Sequence, residues 1–279
     1  MIRRAFVIGH PVGHSRSPLI HGHWLARYGI AGSYERVEVP PEDLAPFLSR
    51  VETDGWVGGN VTVPHKEAAC RLVGETTARA RRLGSVNTLW LADGRLHGDT
   101  TDGEGFLASL ADAVGPCWMD EVGTVLILGA GGAARAIVGA LLDAGANRIV
   151  LANRTAARAC GLASLAPSAI EAVPWEAIPN VLPRANLLVN TTQCGMKGQP
   201  RLELDLARLA EEAIVADIVY VPLETELLAS ARARGLRTVD GLGMLLHQAV
   251  PGFERWFGVR PDVTPELRAV VEADIRKTA

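Results

Sequence analysis

Two groups of residues in this sequence have types and spacing that suit chemistry. The first is a glycine turn. Gly129, Gly131 and Ala134 match G-x-G-x-x-G/A between the apolar run TVLIL and the small-residue helical pattern ARAIVGALL, the context in which that motif binds a dinucleotide. Gly129 permits the tight turn, Gly131 lets the backbone approach a pyrophosphate, and Ala134 lets helix and strand pack closely. The helix that follows offers its free N–H groups to phosphate oxygens. A second apolar run, RIVLA, ends in Asn153-Arg154-Thr155, with Arg158 one turn on. An NAD site usually carries an acid there for the ribose 2′-hydroxyl. A carboxylate would repel a 2′-phosphate, whereas arginine can grip it with two hydrogen bonds, so the cofactor expected is NADP.

The second group lies in the N-terminal half, and spacing alone leaves each of its members two meanings. The loop HPVGHSRSPLIH carries Ser15 and Ser17 to the start of a helix, with Ser17 as N-cap candidate and Pro18 in the first turn. Hydroxyls and N–H groups at such a place can receive a carboxylate, although spacing by itself favours simple capping. Lys66 falls in the first turn of a helix expected to begin at Pro64, where the helix dipole disfavours a cation. It is one of only three lysines among 28 lysines and arginines. A lysine can release a proton and an arginine cannot, so Lys66 is either a proton-transfer group or a solvated surface lysine. Asp102 sits in the glycine-rich loop GDTTDG, as suited to a turn as to catalysis.

The elements that must position these residues follow from the apolar runs. Ala5 to Gly9 and Tyr34 to Val39 read as strands, and Asn60 to Val63 as a strand that delivers Thr62 to its end. Ser85 to Leu91 and Arg95 to Asp99 form a hairpin about Ala92-Asp93-Gly94, with Asn87 in its first strand. After a helix around Phe106 to Ala113 comes the glycine turn, then strands at Asn186 to Asn190, Ala213 to Ile218 and Arg237 to Val239. Thr191 and Tyr220 follow two of these strands, at the edge where doubly wound sheets bind ligands. Gly241 to Trp256 has helical spacing up to Ala249, continues past Pro251 and holds Gln248 in its interior. The expected fold is two α/β domains with the junction near Asp102.

Composition narrows the function classes. The chain has 279 residues, 48% hydrophobic and 21% charged, with a formal net charge of −3. This is a globular composition with no global pull toward nucleic acid or acidic membranes. No apolar run has the length of a membrane span, and the first residues break at Gly9 and Pro11, too early for a secretory leader, so a cytoplasmic protein is expected. Cys70, Cys117, Cys160 and Cys194 are scattered without any CxxC or Cys/His cluster, which predicts neither a metal site nor a disulfide framework.

Taken in order, HSRSP with His21, NVTVPHK, SVNT, GDTTDG, GAGGAAR, NRT and DGLGMLLHQ resemble the shikimate dehydrogenase family over nearly the whole chain. The resemblance implies an NADP-linked oxidoreductase that reversibly reduces 3-dehydroshikimate to shikimate in aromatic amino-acid biosynthesis, a monomer or homodimer. Residues 1–102 and 240–279 would form the substrate domain and 103–239 the Rossmann domain, with substrate and cofactor meeting across a cleft that closes. Position by position, it implies that Ser15 and Ser17 hold the substrate carboxylate with Tyr220 close by. Thr62, Asn87, Asp102 and Gln248 would hold ring hydroxyls, and Lys66 and Asp102 would be the acid/base pair. Gly129, Ala130, Gly132 and Ala133 would cradle the pyrophosphate beside Gly131. Asn153, Arg154, Thr155 and Arg158 would take the adenosine phosphate, and Thr191, Gly241 and Met244 would lie on the nicotinamide side.

The sequence departs from the family pattern at Thr100 and Gly22, where asparagine is frequent, and at Gln193-Cys194, where small serine-rich sequence is usual. Relatives that oxidise quinate or act on aminoshikimate share most of these motifs. Two other classes stay in view. A Ser-His-Asp hydrolase built from His14, Ser15 or Ser17 and Asp102 would lack a G-x-S-x-G elbow. A non-catalytic nucleotide sensor would have no use for Lys66 and Asp102.

Overall fold

The computed structural model describes residues 2–278. They divide into two compact units. One comprises the residues up to Asp102 with Gln248–Val271, and the other Gly103–His247 with the residues from Glu272 onward.

The first unit is built on a six-stranded sheet of β1 (Arg3–Gly9), β2 (Gly32–Glu38), β3 (Trp56–Val61), β4 (Glu75–Thr76), β5 (Thr88–Ala92) and β6 (Arg95–Asp99). Their order is β2-β1-β3-β5-β6-β4. β1 runs parallel to β2 and β3, and β5 turns antiparallel to both β3 and β6. The hairpin is tight because Asp93 and Gly94 both adopt left-handed backbone, φ 51° and 67°, which matches the twist of the flanking strands. Phe6, Ile8, Phe47, Trp56, Val61 and Leu89 fill one core. The helix Val250–Phe257 is fastened to this sheet by the Trp256 indole, which donates to the Leu89 carbonyl at 2.7 Å.

The second unit carries β7 (Val125–Leu128), β8 (Ile149–Ala152), β9 (Ile170–Val173), β10 (Leu187–Asn190), β11 (Ile214–Asp217) and β12 (Arg237–Val239). All are parallel, in the order β12-β11-β10-β7-β8-β9. This is the doubly wound dinucleotide-binding order, which reverses between β7 and β10. Alternate residues of β7 enter opposite cores: Val125 and Ile127 join one apolar cluster, Leu126 and Leu128 the other. Such strands are buried on both faces and read as unbroken apolar runs. No helix among the described residues is long and apolar enough to cross a membrane.

Three local expectations are corrected. The run from Gly241 is two helices, Gly241–His247 and Val250–Phe257, and Gln248 lies in the turn between them. Pro251 lacks an N–H and would clash with the preceding turn, so it is tolerated only in the first turn of a new helix. The helix after β3 begins at Lys66, two residues beyond Pro64. Finally, Ser17 is the first residue of the helix Ser17–Arg27, which has no side-chain cap. It is Ser15 Oγ that accepts the Ser17 N–H, at 3.3 Å.

Candidate active site

In the first unit the structure gathers four of the expected residues into one buried polar cluster. Lys66 heads its helix just beyond β3, and Asp102 heads the 13-residue helix Asp102–Val114 just beyond β6, where a helix dipole favours negative charge. The Lys66 ammonium donates to Asp102 Oδ2, with the two side chains only 15% and 7% exposed. Asn87 Nδ2 donates to the other carboxylate oxygen at 2.8 Å and to Gln248 Oε1 at 3.3 Å. The Thr101 N–H donates to Asn87 Oδ1 at 2.7 Å. A backbone N–H can only donate, so this bond fixes which end of the Asn87 amide faces Asp102. The Thr101 hydroxyl completes the ring by donating to the Gln248 carbonyl at 2.9 Å.

The serine pair is joined to this cluster through residues that the motif spacing did not flag. Ser15 and Ser17 are both buried. Arg36 on β2 donates through Nε and Nη2 to the Ser15 carbonyl, at 2.9 and 2.6 Å, which brings a cation to the serine loop. Ser17 hydrogen-bonds Tyr34. The Tyr34 hydroxyl donates to Asn60 Oδ1 at 2.6 Å, and Asn60 Nδ2 donates to the Asn87 carbonyl at 3.0 Å. Burial holds the Tyr34 phenol well above its usual pKa of 10.0. The available signal was a polar Asn60 inside an otherwise buried strand, since such a group must be hydrogen-bonded. Thr62 lies one residue past β3, half-buried, and is bonded through its backbone to Ile8 and His65.

The second unit supplies a site of different character. Gly129 follows β7 with φ 110°, and a Cβ there would lie 2.5 Å from Thr191 Oγ1, so both backbone and space require glycine. Thr191, just past β10, donates its N–H and hydroxyl to the Leu128 carbonyl, at 2.8 and 2.7 Å. The two strand ends at which the sheet order reverses are thereby pinned together. Ala130 is buried, and Gly131 precedes the helix Gly132–Asp143. That helix start has no side-chain cap and no acidic residue in its first turn, and a Cβ at Gly131 would meet nothing within 4 Å. Open space, unopposed N–H donors at Gly132 and Ala133 and the positive end of a helix dipole together fit a pyrophosphate.

At the end of β8, Asn153 Nδ2 donates to the Thr155 carbonyl at 2.9 Å, which curls the chain so that Arg154, Thr155 and Arg158 stay exposed. Among the described residues neither guanidinium has a carboxylate partner. Two unopposed arginines where an NAD site keeps an acid fit a 2′-phosphate. Gly241 starts its helix against the Ile218 carbonyl, 2.3 Å from where its Cβ would be. Asp240 Oδ1 caps that helix through the Leu242 N–H at 3.0 Å. Met244 is packed into the core of this unit, and Tyr220 is half-buried in the loop after β11.

Comparison with known proteins agrees with both halves. Residues 7–89 match the family model of the shikimate dehydrogenase substrate binding domain. Residues 117–221 match that of shikimate/quinate 5-dehydrogenase, and residues 241–271 that of the shikimate 5′-dehydrogenase C-terminal domain. The shikimate dehydrogenase (NADP(+)) of Methylobacterium radiotolerans is 60% identical over 274 residues, covering 98% of this chain and 97% of that one. Among solved structures, shikimate 5-dehydrogenase from Thermus thermophilus, in complex with NADP(H) and shikimate, is 37% identical with a TM-score of 0.86, and all of both chains is covered. Quinate dehydrogenase from Corynebacterium glutamicum, in complex with NAD, is 31% identical with a TM-score of 0.89, over 98% of this chain and 99% of that one. A buried lysine–aspartate pair in one unit, an uncapped glycine turn at a helix start in the other and this degree of identity lead to one assignment: the chain belongs to the shikimate dehydrogenase family.

Proposed function

We propose that this chain is an NADP-dependent oxidoreductase interconverting 3-dehydroshikimate and shikimate, with Lys66 and Asp102 as its proton-handling pair. The observation that carries the proposal is the buried Lys66–Asp102 contact, held from behind by Asn87 and Thr101. A buried ion pair is weak as a stabilising device, and this one faces groups suited to hydroxyls and a carboxylate.

When bound, NADPH supplies a hydride to the substrate carbonyl carbon. An ammonium has three donors, and the one spent on Asp102 leaves two for the oxygen on which charge develops. Lys66 gives that oxygen a proton, becomes a neutral amine and is reprotonated from water. In the oxidation direction Lys66 first gives a proton to water, and the neutral amine then accepts the hydroxyl proton. Asp102 aims the ammonium through Oδ2 and, with Asn87, Thr62 and Gln248, takes the ring hydroxyls. Ser15 and Ser17 take the carboxylate, and Tyr220 keeps the role that the resemblance gives it. On the cofactor side, Gly129 to Ala133 hold the pyrophosphate and Asn153, Arg154, Thr155 and Arg158 the 2′-phosphate. Thr191, Gly241 and Met244 keep the nicotinamide-side roles that the resemblance gives them.

Quinate oxidation is the second reading, favoured by the likeness to a quinate dehydrogenase. One assay separates the two: the near-ultraviolet absorbance of reduced nicotinamide is followed with shikimate or quinate offered with NADP or NAD. The proposal expects the highest kcat/KM with shikimate and NADP. No turnover with any pair would end it, and preference for quinate would move it to the second reading.

A further inference from the structure

Asp217 is a strongly buried carboxylate of the second unit to which the proposed reaction assigns no role. It ends β11 and is only 2% exposed. Among the described residues no cation is bonded to it. Instead it accepts three hydrogen bonds from three places: Asn190 Nδ2 at 2.9 Å, the Val219 N–H at 3.0 Å, and the Thr225 hydroxyl at 2.7 Å. Each donor lies at or beyond a strand end on the ligand-binding edge of the sheet. Asn190 ends β10 immediately before Thr191, and its amide braces the loop beyond, donating to the Cys194 carbonyl at 3.2 Å and accepting from the Thr192 hydroxyl at 2.7 Å. Val219 is bonded in a tight turn and precedes Tyr220. Thr225 caps the helix Glu226–Ala233, closing the same loop at its far end. A backbone bond from the Lys197 N–H to the Val221 carbonyl, 3.0 Å, ties the two loops again further out.

We infer that Asp217 is a positioning residue: its carboxylate clasps the loops after β10 and β11 and so fixes Thr191 and Tyr220 in the roles proposed for them. This rests on the function proposed above. The cost of the arrangement is desolvation, which raises the Asp217 pKa above its ordinary value against the pull of its three donors. An apolar side chain would avoid that desolvation but would leave all three donors without an acceptor, so what the position requires is a hydrogen-bond acceptor.

The donor set allows a sharp test. In Asp217→Asn the remaining amide oxygen can still accept from Asn190 and Val219, and the new NH2 can donate to Thr225, whose hydroxyl accepts as well as donates. In Asp217→Ala all three donors lose their acceptor. The expected result is an Asn variant within about threefold of wild type and an Ala variant whose KM for shikimate rises about tenfold or more, since three buried donors are left without an acceptor. Binding of adenosine 2′,5′-bisphosphate, which needs only the β8 end, is expected to stay unchanged in both. Amide exchange in the Ala variant is expected to quicken in residues 190–200 and 217–225 and not in residues 125–160. If the Ala variant does not fold, Thr225→Val, which removes one of the three bonds, is expected to quicken exchange in 217–225 with a smaller rise in KM. The inference is overturned if exchange in both loops is unchanged, if the Asn variant is as impaired as Ala, or if bisphosphate binding falls in parallel with shikimate binding. An inactive wild type would instead defeat the function reading, and the exchange data would still decide the clasp.

Discussion

Acid should destabilise this fold through the buried ring of His21. Its ring is fully buried, stacked on Tyr34 with centroids 4.0 Å apart, and packed against Trp24 and Trp256 at 5.6 and 5.4 Å. Phe253 lies on the same ring at 5.9 Å, and no charged group is among these ring contacts. Desolvation lowers the His21 pKa from 6.5 to about 3, with the nearby Asn60 side chain pulling weakly the other way, and neither ring nitrogen has a hydrogen-bond partner among the described residues. The folded ring therefore stays neutral while the unfolded ring takes up a proton below pH 6.5. Stability contributed here is fully present above pH 6.5 and is lost as pH falls toward 3. Across the full interval the loss is on the order of 5 kcal/mol, at about 1.4 kcal/mol per decade.

The informative window lies between pH 6.5 and 4.5, where His21 alone should remove about 2 kcal/mol. The carboxylates held below their ordinary values, Asp99, Glu35 and Glu266, act beneath that window. Asp217, whose pKa is raised, works in the opposite sense, so the readout is a difference between variants. Urea unfolding followed by the fluorescence of the six tryptophans, Trp24 and Trp256 beside His21 among them, would give stability at each pH for wild type and His21→Phe, a ring that keeps the stack. The wild-type curve should fall more steeply than that of the variant as pH drops. Parallel curves over this window would rule His21 out as the cause.

Replacing Arg154 and Arg158 together with alanine should raise KM for NADP by about 10- to 100-fold while leaving that for NAD nearly unchanged, since charge-assisted bonds to the 2′-phosphate are worth about 1.5–3 kcal/mol; equal losses with both cofactors would contradict the assignment. The Thr100 hydroxyl is buried without a partner among the described residues. Thr100→Val should therefore be neutral or stabilising by about 1 kcal/mol in thermal unfolding, and a loss of that size would contradict it.

What could be read in advance was what the backbone imposes locally. The Rossmann unit was legible because a parallel strand buried on both faces is an unbroken apolar run, and because Gly129 and Gly131 answer local demands of turn and approach. The hairpin was legible from Asp93-Gly94 for the same reason. The route from Ser17 through Tyr34 and Asn60 to Asn87 was not, because it joins four separate segments and no spacing within any of them encodes it. Lys66 and Asp102 were equally ambiguous alone. The resemblance, and not their spacing, lifted them above a surface lysine and a turn aspartate, and their pairing is visible only once β3 and β6 are brought into one sheet. The break at Gln248 was missed because the apolar period runs on through Pro251, which starts the second helix.

The proposed mechanism stands or falls on whether Lys66 transfers a proton or only places a positive charge beside Asp102. Lys66→Arg separates the two, since arginine keeps the charge and a partner for Asp102 but does not deprotonate. With shikimate and NADP, the expected kcat is at least about 100-fold below wild type, with shikimate affinity by equilibrium binding little changed. A variant that turns over at the wild-type rate would contradict proton transfer by Lys66.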